Sequence, residues 1–312
     1  MWRYVFRRLL VAIPTLLVII TLAFFMVRFA PGGPFDLERT LPPEIQANLN
    51  AMYHLDEPLW QQYLRYMGSI LRGDFGPSFQ YTDRTVNELI GYGFPVSMKL
   101  GFTAIAIAVV VGSFLGIIAA IKQNSKIDYT VMSAAMTGIT IPNFVVAPLL
   151  QLFLVVLPFT WWGLKILPSG GWGNSWKQMI LPVIALVLPQ IAYVSRLMRG
   201  SMIEVLRANH VRTARAKGLS EKAVIIRHCL KPALMPIVSY LGPACAAMLT
   251  GSVVIEQIFG IPGIGRYFVQ GALNRDYTLV LGVVVFYGVL IVLFNLLVDL
   301  AYAWLDPKVR LS

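Results

Sequence analysis

Asp299 and Asn295 are the side chains of this sequence best suited to chemistry inside an apolar segment. They lie four residues apart in a long hydrophobic run, so a helix there places both on one face. An ionisable group in such a run often borders a substrate pathway or a proton site, and the alternative is a structural hydrogen bond near the helix end. Asp299 lies only about a turn and a half from that end, which favours the structural interpretation.

The other residues of catalytic or metal-ligating type form no constellation. His54, His210 and His228 are isolated in the sequence, and Cys229 and Cys245 give no disulfide framework. The neighbours His228 and Cys229 would point about 100° apart on a helix, which is unsuitable for a shared ligand. We therefore predict no catalytic residue, no metal site and no enzymatic activity for this chain.

The stretch FGIPGIGR, residues 259–266, has the glycine content of a phosphate-binding loop. It lacks the G-K-[ST] ending of such a loop, and the chain contains no Walker A motif elsewhere. We therefore predict a tight re-entrant turn here, and no cofactor bound by this chain.

The elements that position these residues must lie in lipid. The 312 residues are 57% hydrophobic and 13% charged, whereas a soluble domain carries about a quarter charged residues. Crossing a bilayer takes about 20 helical residues, and the sequence predicts an all-α membrane protein with six transmembrane helices. Pro142 and Pro148 interrupt the third segment, where kinks are expected. The six predicted spans are Leu9–Val27, Leu100–Ile121, Val131–Leu157, Met179–Val194, Ala233–Ile255 and Leu279–Ala303.

The Lys and Arg residues predict the orientation. If both termini are cytoplasmic, the inside segments hold sixteen Lys and Arg residues against four acids, and the outside segments hold ten against ten. The net charge of +11 is then a topology signal, and a nucleic-acid partner is not expected.

The first outside region is large and has its own helical pattern. Apolar residues recur at helical spacing between Leu59 and Ile70, which predicts amphipathic helices that cover the bundle or receive a partner. We divide the chain into an N-terminal helix (1–30), an extracytoplasmic region (31–95) and a five-helix core (96–312). The core carries a cytoplasmic loop at about 196–232.

That cytoplasmic loop contains the basic stretch RTARAKGLSEKAVIIRHCLKP, residues 212–232. Asn209 is expected to cap a short helix over residues 210–217, and Gly218 suits the left-handed position that ends it. Ser220 is expected to cap a second short helix, and Pro232 then begins the fifth span. The loop is thus predicted to hold two short helices at an angle.

The first of these helices has the profile of a docking element. Val211, Ala214 and Ala216 make it slim, so that another protein could approach closely. Four basic residues form a charged rim: Arg207, Arg212, Arg215 and Lys217. Binding of anionic lipid and simple enforcement of topology are the alternatives, but neither explains a glycine between two capped helices.

The loop resembles that of ABC-importer membrane subunits, in the R-T-A-R-A-K-G form usual in the peptide branch. Gly218 matches the family's glycine, whereas Arg212 and Thr213 replace its Glu and Ala, His228 replaces its Ile, and Pro232 lies one place late. The chain resembles the B-type subunits of oligopeptide permeases, with dipeptide and nickel permease subunits as relatives. Further matching stretches are RRLLVAIPTLL, APGGP, YHLDEPLWQQYLRYM, GDFGPS, VVIEQIFGIPGIG, GALNRDYTLVLG and LDPKVR.

The resemblance implies a type I ABC importer permease fold in a bacterial inner membrane. It also implies a C-type permease partner, two cytosolic ATPases that bind ATP and Mg²⁺, and an extracytoplasmic peptide-binding protein. The alternatives are a dipeptide or nickel permease subunit and a self-powered secondary transporter, which would favour a buried carboxylate network. The ATPase-coupling loop would comprise Arg207, Asn209, Val211, Arg212, Thr213, Ala214, Arg215, Ala216, Lys217, Gly218 and Leu219.

Overall fold

The computed structural model describes residues 2–30, 43–81, 83–173 and 175–305. These residues are helical apart from turns, loops and one isolated β-bridge. The chain divides into two compact units. The larger unit contains Ser97–Ile261 and the chain from Ile291 onward, and the smaller unit contains Trp2–Val96 and Pro262–Leu290.

The structure describes fourteen α-helices. In chain order they are α1 (Trp2–Phe29), α2 (Pro43–Met52), α3 (Leu59–Leu71), α4 (Val86–Ile121), α5 (Lys126–Thr140), α6 (Asn143–Gln151), α7 (Leu157–Trp162), α8 (Ile180–Leu206), α9 (Asn209–Ala216), α10 (Glu221–Ala223), α11 (Leu230–Gly251), α12 (Val253–Phe259), α13 (Ile264–Leu273) and α14 (Tyr277–Leu305). Two π-helical segments, Leu152–Val156 and Val224–Cys229, join α6 to α7 and α10 to α11. A 3₁₀ turn, Trp176–Met179, precedes α8.

Six helical stretches of the described chain are long and apolar enough to cross a membrane, which agrees with the predicted number. The predicted bounds agree for the first and sixth spans and are too short for the second and fourth. The predicted fifth span, Ala233–Ile255, begins too late, because the observed stretch begins at Glu221. The six observed stretches are Leu10–Phe29, Val86–Ile121, Asn143–Trp162, Trp176–Leu206, Glu221–Met248 and Tyr277–Leu300.

The prediction of a single third helix over Val131–Leu157 is wrong. Helix α5 ends at Thr140, and Ile141 is extended (φ −97°, ψ 120°). A proline disfavours helical geometry in the residue before it, so Pro142 forces this break. Pro142 itself is extended and precedes α6, so the apolar stretch that follows starts at Asn143. Pro148, by contrast, lies inside α6.

The smaller unit confirms the amphipathic helix predicted between Leu59 and Ile70. Helix α3 turns Tyr63 and Tyr66 toward α1, where both rings contact Phe24. The Thr21 and Tyr63 hydroxyls are hydrogen-bonded at 2.7 Å. The apolar face of α3 therefore covers α1 within this unit.

A buried carboxylate fixes the start of α14 in the smaller unit. Asp276 accepts hydrogen bonds from the Ser78 hydroxyl and from the backbone N–H of Gln80 (3.2 Å). It also accepts from the Thr278 hydroxyl (3.0 Å) and the backbone N–H of Leu279 (3.1 Å). The last of these bonds satisfies an amide that the first helical turn leaves without a partner.

The larger unit is packed around α8. Glycines on the neighbouring helices allow these helices to approach α8 closely. A Cβ atom added to Gly116 of α4 would lie 2.6 Å from the Met198 Cβ, and one added to Gly138 of α5 would lie 2.5 Å from the Leu188 carbonyl oxygen. Both distances are shorter than any real Cβ contact. Glycine at these positions therefore sets the spacing of α4 and α5 from α8.

Candidate functional site

Two buried side chains hold helix α9 against its neighbours within the larger unit. Val211 is fully buried and Ala214 nearly so, and both belong to an apolar cluster with Met198 and Met202 of α8 and Cys229. Val211 and Ala214 therefore face the chain's own interior, which corrects the prediction that they shape the surface offered to a partner. They fix the position of α9 relative to α8 and α11.

The face of α9 opposite this cluster is exposed and basic. It comprises Arg212, Thr213, Arg215, Ala216 and Lys217. Gly218 and Leu219 extend it beyond the helix end, and both are exposed. The structure thus places most of the predicted coupling residues on one surface.

The predicted Asn209 cap is wrong. Asn209 is the first residue of α9, and the N-cap position is Ala208, which makes no side-chain hydrogen bond. The backbone carbonyl of Ala208 accepts from the amides of Val211 (3.1 Å) and Arg212 (3.2 Å). Because the backbone of Asn209 is already helical, it does not have the extended conformation that an N-cap residue requires.

The prediction for Gly218 is confirmed. Its φ is +79°, in the left-handed region that favours glycine. The Gly218 N–H donates to the Arg215 carbonyl (2.9 Å) and the Leu219 N–H to the Ala214 carbonyl (3.4 Å). These are the two bonds of a Schellman motif, which satisfies carbonyls at the end of α9.

An ion pair spans the turn at Gly218. The Arg215 guanidinium donates to both carboxylate oxygens of Glu221, at 2.8 and 3.2 Å. This hydrogen bonding raises the pKa of Arg215. The Ser220 hydroxyl accepts from the Ala223 N–H (3.4 Å), which confirms the predicted Ser220 cap. The ion pair therefore joins the residues on either side of Gly218, and the Ser220 cap starts the helix that follows.

The prediction of a separate second short helix is wrong. The chain is helical without interruption from Glu221 through the π-helical segment into α11. Pro232 has no N–H to donate to the carbonyl of His228 four residues earlier. The ring nitrogen Nε2 of His210 lies 3.3 Å from that carbonyl oxygen. This contact links α9 directly to the start of the fifth span.

The predicted rim residue Arg207 faces the loop between α4 and α5. Its Nη2 donates to the Gln123 side-chain oxygen at 3.2 Å. In the same region Arg199 donates to both oxygens of Asp128, at 2.6 and 2.7 Å. The Asn124 N–H also donates to Asp128 (2.9 Å). The guanidinium of Arg199 lowers the pKa of the buried Asp128 carboxyl.

The structural role of Asp128 was not predicted from the sequence. The available signal was the sequence SKID, in which Ser125 is three residues before an acid and so predicts an N-cap. In the structure the Ser125 side chain accepts from the Asp128 N–H and caps α5. The partner Arg199 is 71 residues away, and no local pattern identifies it.

A second acid whose role was not predicted is Glu256, which is completely buried in α12. Its Oε1 accepts from the hydroxyls of Ser97 and Ser252, both at 2.6 Å. The signal was a lone acid in the apolar run VVIEQIF. The following FGIPGIGR stretch ends α12 at Gly260, in the left-handed region (φ +64°), and leads into α13.

We expect Glu256→Ala to lower stability strongly and Glu256→Gln to lower it little. Alanine leaves two buried hydroxyls without their acceptor, at a cost of about 1–3 kcal/mol for each, whereas glutamine keeps an acceptor oxygen. The measurement is the thermal unfolding midpoint of the purified protein. Equal midpoints for the two variants would contradict this role for the Oε1 atom.

Asn295 and Asp299 lie one turn apart on α14, and both are half-buried. A Cβ atom added to Gly242 of α11 would lie 3.3 Å from the Asn295 Oδ1. Asn295 therefore lies at the contact between α11 and α14. This position is consistent with a role in packing the two helices. A role for Asn295 or Asp299 in a substrate pathway stays a prediction.

If Asp299 has a structural role, Asp299→Asn should leave substrate uptake within about threefold of the wild type, because an amide can replace one carboxylate hydrogen bond. The measurement is uptake into vesicles that contain equal amounts of assembled protein. Loss of uptake with normal assembly would instead indicate a pathway role.

The fold is that of the membrane subunits of type I ABC importers. The larger part of the chain is similar to the solved MetNI methionine ABC transporter, in an inward-facing conformation, with a TM-score of 0.55 and 17% identity over 70% of this chain and 96% of that one. It is also similar to a solved amino acid ABC transporter, with a TM-score of 0.54 and 21% identity over 69% of this chain and 94% of the other.

The chain belongs to the family of binding-protein-dependent transport system inner membrane components, which matches residues 112–311. The family's N-terminal component matches residues 1–101. The chain is 55% identical to the oligopeptide transport system permease protein OppB of Escherichia coli K12, over 99% of this chain and all of the relative. It is 47% identical to the dipeptide transport system permease protein DppB of Bacillus subtilis 168, over 100% of this chain and 99% of the relative.

Proposed function

We propose that this chain is the B-type membrane subunit of an ATP-driven importer of oligopeptides in a bacterial inner membrane. The observation that carries the proposal is the full-length 55% identity to an oligopeptide permease. The 47% identity to a dipeptide permease makes dipeptide transport the second candidate. The chain would form half of the translocation pathway beside a C-type permease subunit.

The exposed face of α9 would be the surface on which a cytosolic ATPase subunit docks. Its charge, its small residues Ala216 and Gly218, and its firm attachment through Val211 and Ala214 support this assignment. Both termini and α9 would then lie in the cytoplasm, in agreement with the distribution of Lys and Arg. ATP and Mg²⁺ would bind to the two ATPase subunits and not to this chain.

The packing of α9 suggests how movement would reach the membrane spans. The cluster around Val211 includes Met198 and Met202 of α8, and Ala233 and Ile237 of α11. Close-packed side chains transmit displacement with little compression. Closure of the ATPases on ATP would therefore shift α9 together with the fourth and fifth spans. An extracytoplasmic binding protein would deliver the peptide, and ATP hydrolysis would reset the subunits.

Single cysteines on α9 test the docking surface. In the assembled transporter we expect Arg212→Cys, Thr213→Cys and Ala216→Cys to cross-link to the ATPase, because these positions are exposed. Val211→Cys and Ala214→Cys are the matched controls, since their side chains are buried. The native Cys229 is buried and Cys245 is half-buried, so both are replaced by Ser only if the parent protein cross-links. Cross-linking from the buried positions alone would contradict the proposal.

Reconstituted transport tests the substrate. Proteoliposomes that contain this chain, its C-type partner and both ATPases should accumulate labelled penta- and dipeptides only with ATP and the binding protein. Preference for pentapeptides supports the proposal, and uptake of dipeptides alone would favour the second candidate. Uptake under a proton gradient without ATPases would contradict both.

A further inference from the structure

A cavity of about 120 Å³ in the smaller unit is lined by polar groups that have no role in the proposed transport step. Arg28, Tyr53, Gln62, Tyr66, Tyr277 and Thr278 are among the lining residues. One water molecule occupies about 30 Å³ in the liquid, so the cavity has room for a small polar group.

Three buried atoms in this lining lack hydrogen-bond partners among the described residues: Arg28 Nε, Gln62 Oε1 and Tyr66 Oη. Gln62 is only 7% exposed. Its Nε2 donates to the carbonyls of Leu55 (3.2 Å) and Glu57 (2.7 Å), which fixes the amide and leaves Oε1 as an acceptor in the cavity wall. Buried polar atoms without partners are costly, so they point to a ligand that supplies both an acceptor and a donor.

The charge of the cavity favours an anion. Arg28 lies beside the rings of Phe24 and Tyr277, with its central carbon 5.5 and 5.7 Å from their centroids, and it makes no ion pair within the described part of the chain. The nearby Glu57 does not line the cavity and is paired with Arg65 at 2.6 Å. The guanidinium is therefore available, and its planar geometry matches phosphate or carboxylate oxygens.

The position of Arg28 in the fold identifies the source of the anion. It is the penultimate residue of the apolar span Leu10–Phe29, whose 20 residues extend about 30 Å, the thickness of the hydrocarbon core. Arg28 therefore lies at the depth of the lipid headgroups. Tyr53, Tyr66 and Tyr277 line the same cavity, as expected for aromatic side chains at a membrane interface.

We propose that this cavity binds the headgroup of one phospholipid. The phosphate would accept hydrogen bonds from Arg28 and the Tyr66 hydroxyl, and a hydrogen-bond donor of the headgroup would meet Gln62 Oε1. Because that oxygen requires a donor, the site selects ethanolamine or glycerol headgroups over choline, which has none. This inference does not depend on the transported substrate.

Native mass spectrometry of the assembled transporter, released from nanodiscs of phosphatidylethanolamine and phosphatidylglycerol, tests the site. We expect one retained phospholipid per copy of this chain, with retention reduced roughly tenfold or more by Arg28→Gln and about threefold to tenfold by Tyr66→Phe. Arg72→Gln is the matched control, since it removes the same charge from an exposed residue outside the cavity. Nanodiscs of phosphatidylcholine alone should give at least about tenfold less retained lipid.

Thermal unfolding midpoints confirm that each variant is folded. Equal retention by the wild type and by folded Arg28→Gln and Tyr66→Phe would overturn the proposal, as would equal retention of choline lipid. Adding millimolar inorganic phosphate to the lipid-stripped transporter tests whether the site binds free phosphate and not a lipid headgroup. If it stabilises the wild type but not Arg28→Gln while no lipid is retained, the lipid assignment is wrong. Displacement of the retained lipid by a pentapeptide would also overturn it.

Discussion

Gly218→Pro should strongly reduce coupled transport while leaving the membrane spans inserted. Gly218 has a φ of +79° and its N–H donates to the Arg215 carbonyl. Proline fixes φ near −65° and has no N–H, so it can satisfy neither requirement. The end of α9 would then unwind, and the exposed basic face would no longer be presented as one surface. We expect uptake to fall at least about tenfold, which corresponds to about 1.4 kcal/mol in the docking equilibrium.

Two further variants, one with a milder change at Gly218 and one at a glycine elsewhere, make the Gly218→Pro test specific. Gly218→Ala keeps the N–H but imposes about 1–2 kcal/mol for a side chain in the left-handed region, so we expect a smaller loss of uptake. Gly200→Ala is the control, because Gly200 lies inside α8 and, as at Gly218, no heavy atom lies within 4 Å of an added Cβ. The measurements are peptide uptake and peptide-stimulated ATPase activity of the reconstituted transporter. Normal coupled activity of stable Gly218→Pro would exclude this turn from coupling.

The local features of the loop that contains α9 could be predicted because each depends on the backbone preference of a single residue. Gly218 and Ser220 have the positions expected from their backbone preferences. Apolar length likewise predicted the number of spans, since the bilayer thickness sets it. The prediction for Asn209 failed because a cap depends on where the previous helix ends. Helix α8 extends to Leu206, and Ala208 is left at the cap position.

Features that depend on distant contacts could not be predicted. The inward orientation of Val211 and Ala214 depends on α8 and on the segment around Cys229, which only the fold brings together. The break at Pro142 was visible as a proline, but a proline in an apolar run predicts a kink as readily as a break. Ser97 and Arg199 lie far in the sequence from Glu256 and Asp128, the acids that they contact, so no local pattern identified these pairs.

Asp128→Ala should cause a large loss of stability in the larger unit. Asp128 is 1% exposed and accepts two hydrogen bonds from Arg199, whose side chain is 28% exposed. Removing one partner of a buried ion pair leaves the other charge uncompensated, at a cost of about 3–5 kcal/mol. Because Arg199 is partly hydrated, we expect about 2–4 kcal/mol. The measurements are the unfolding midpoint of the purified transporter and the fraction that assembles.

The exposed pair Arg215–Glu221 provides the matched control for Asp128→Ala. Its side chains are 41% and 64% exposed, so Glu221→Ala should cost only about 0.2–1 kcal/mol. Equal losses of stability in Asp128→Ala and Glu221→Ala would show that the burial of Asp128 does not strengthen its ion pair. Arg199 depresses the pKa of Asp128, so the pair's contribution to stability is complete above the ordinary aspartate pKa of about 4. This contribution is lost as the pH falls from about 4 through the lower pKa that Asp128 has in the folded protein. The Asp128→Asn variant cannot be protonated at this position, so it should not lose this stability at acid pH.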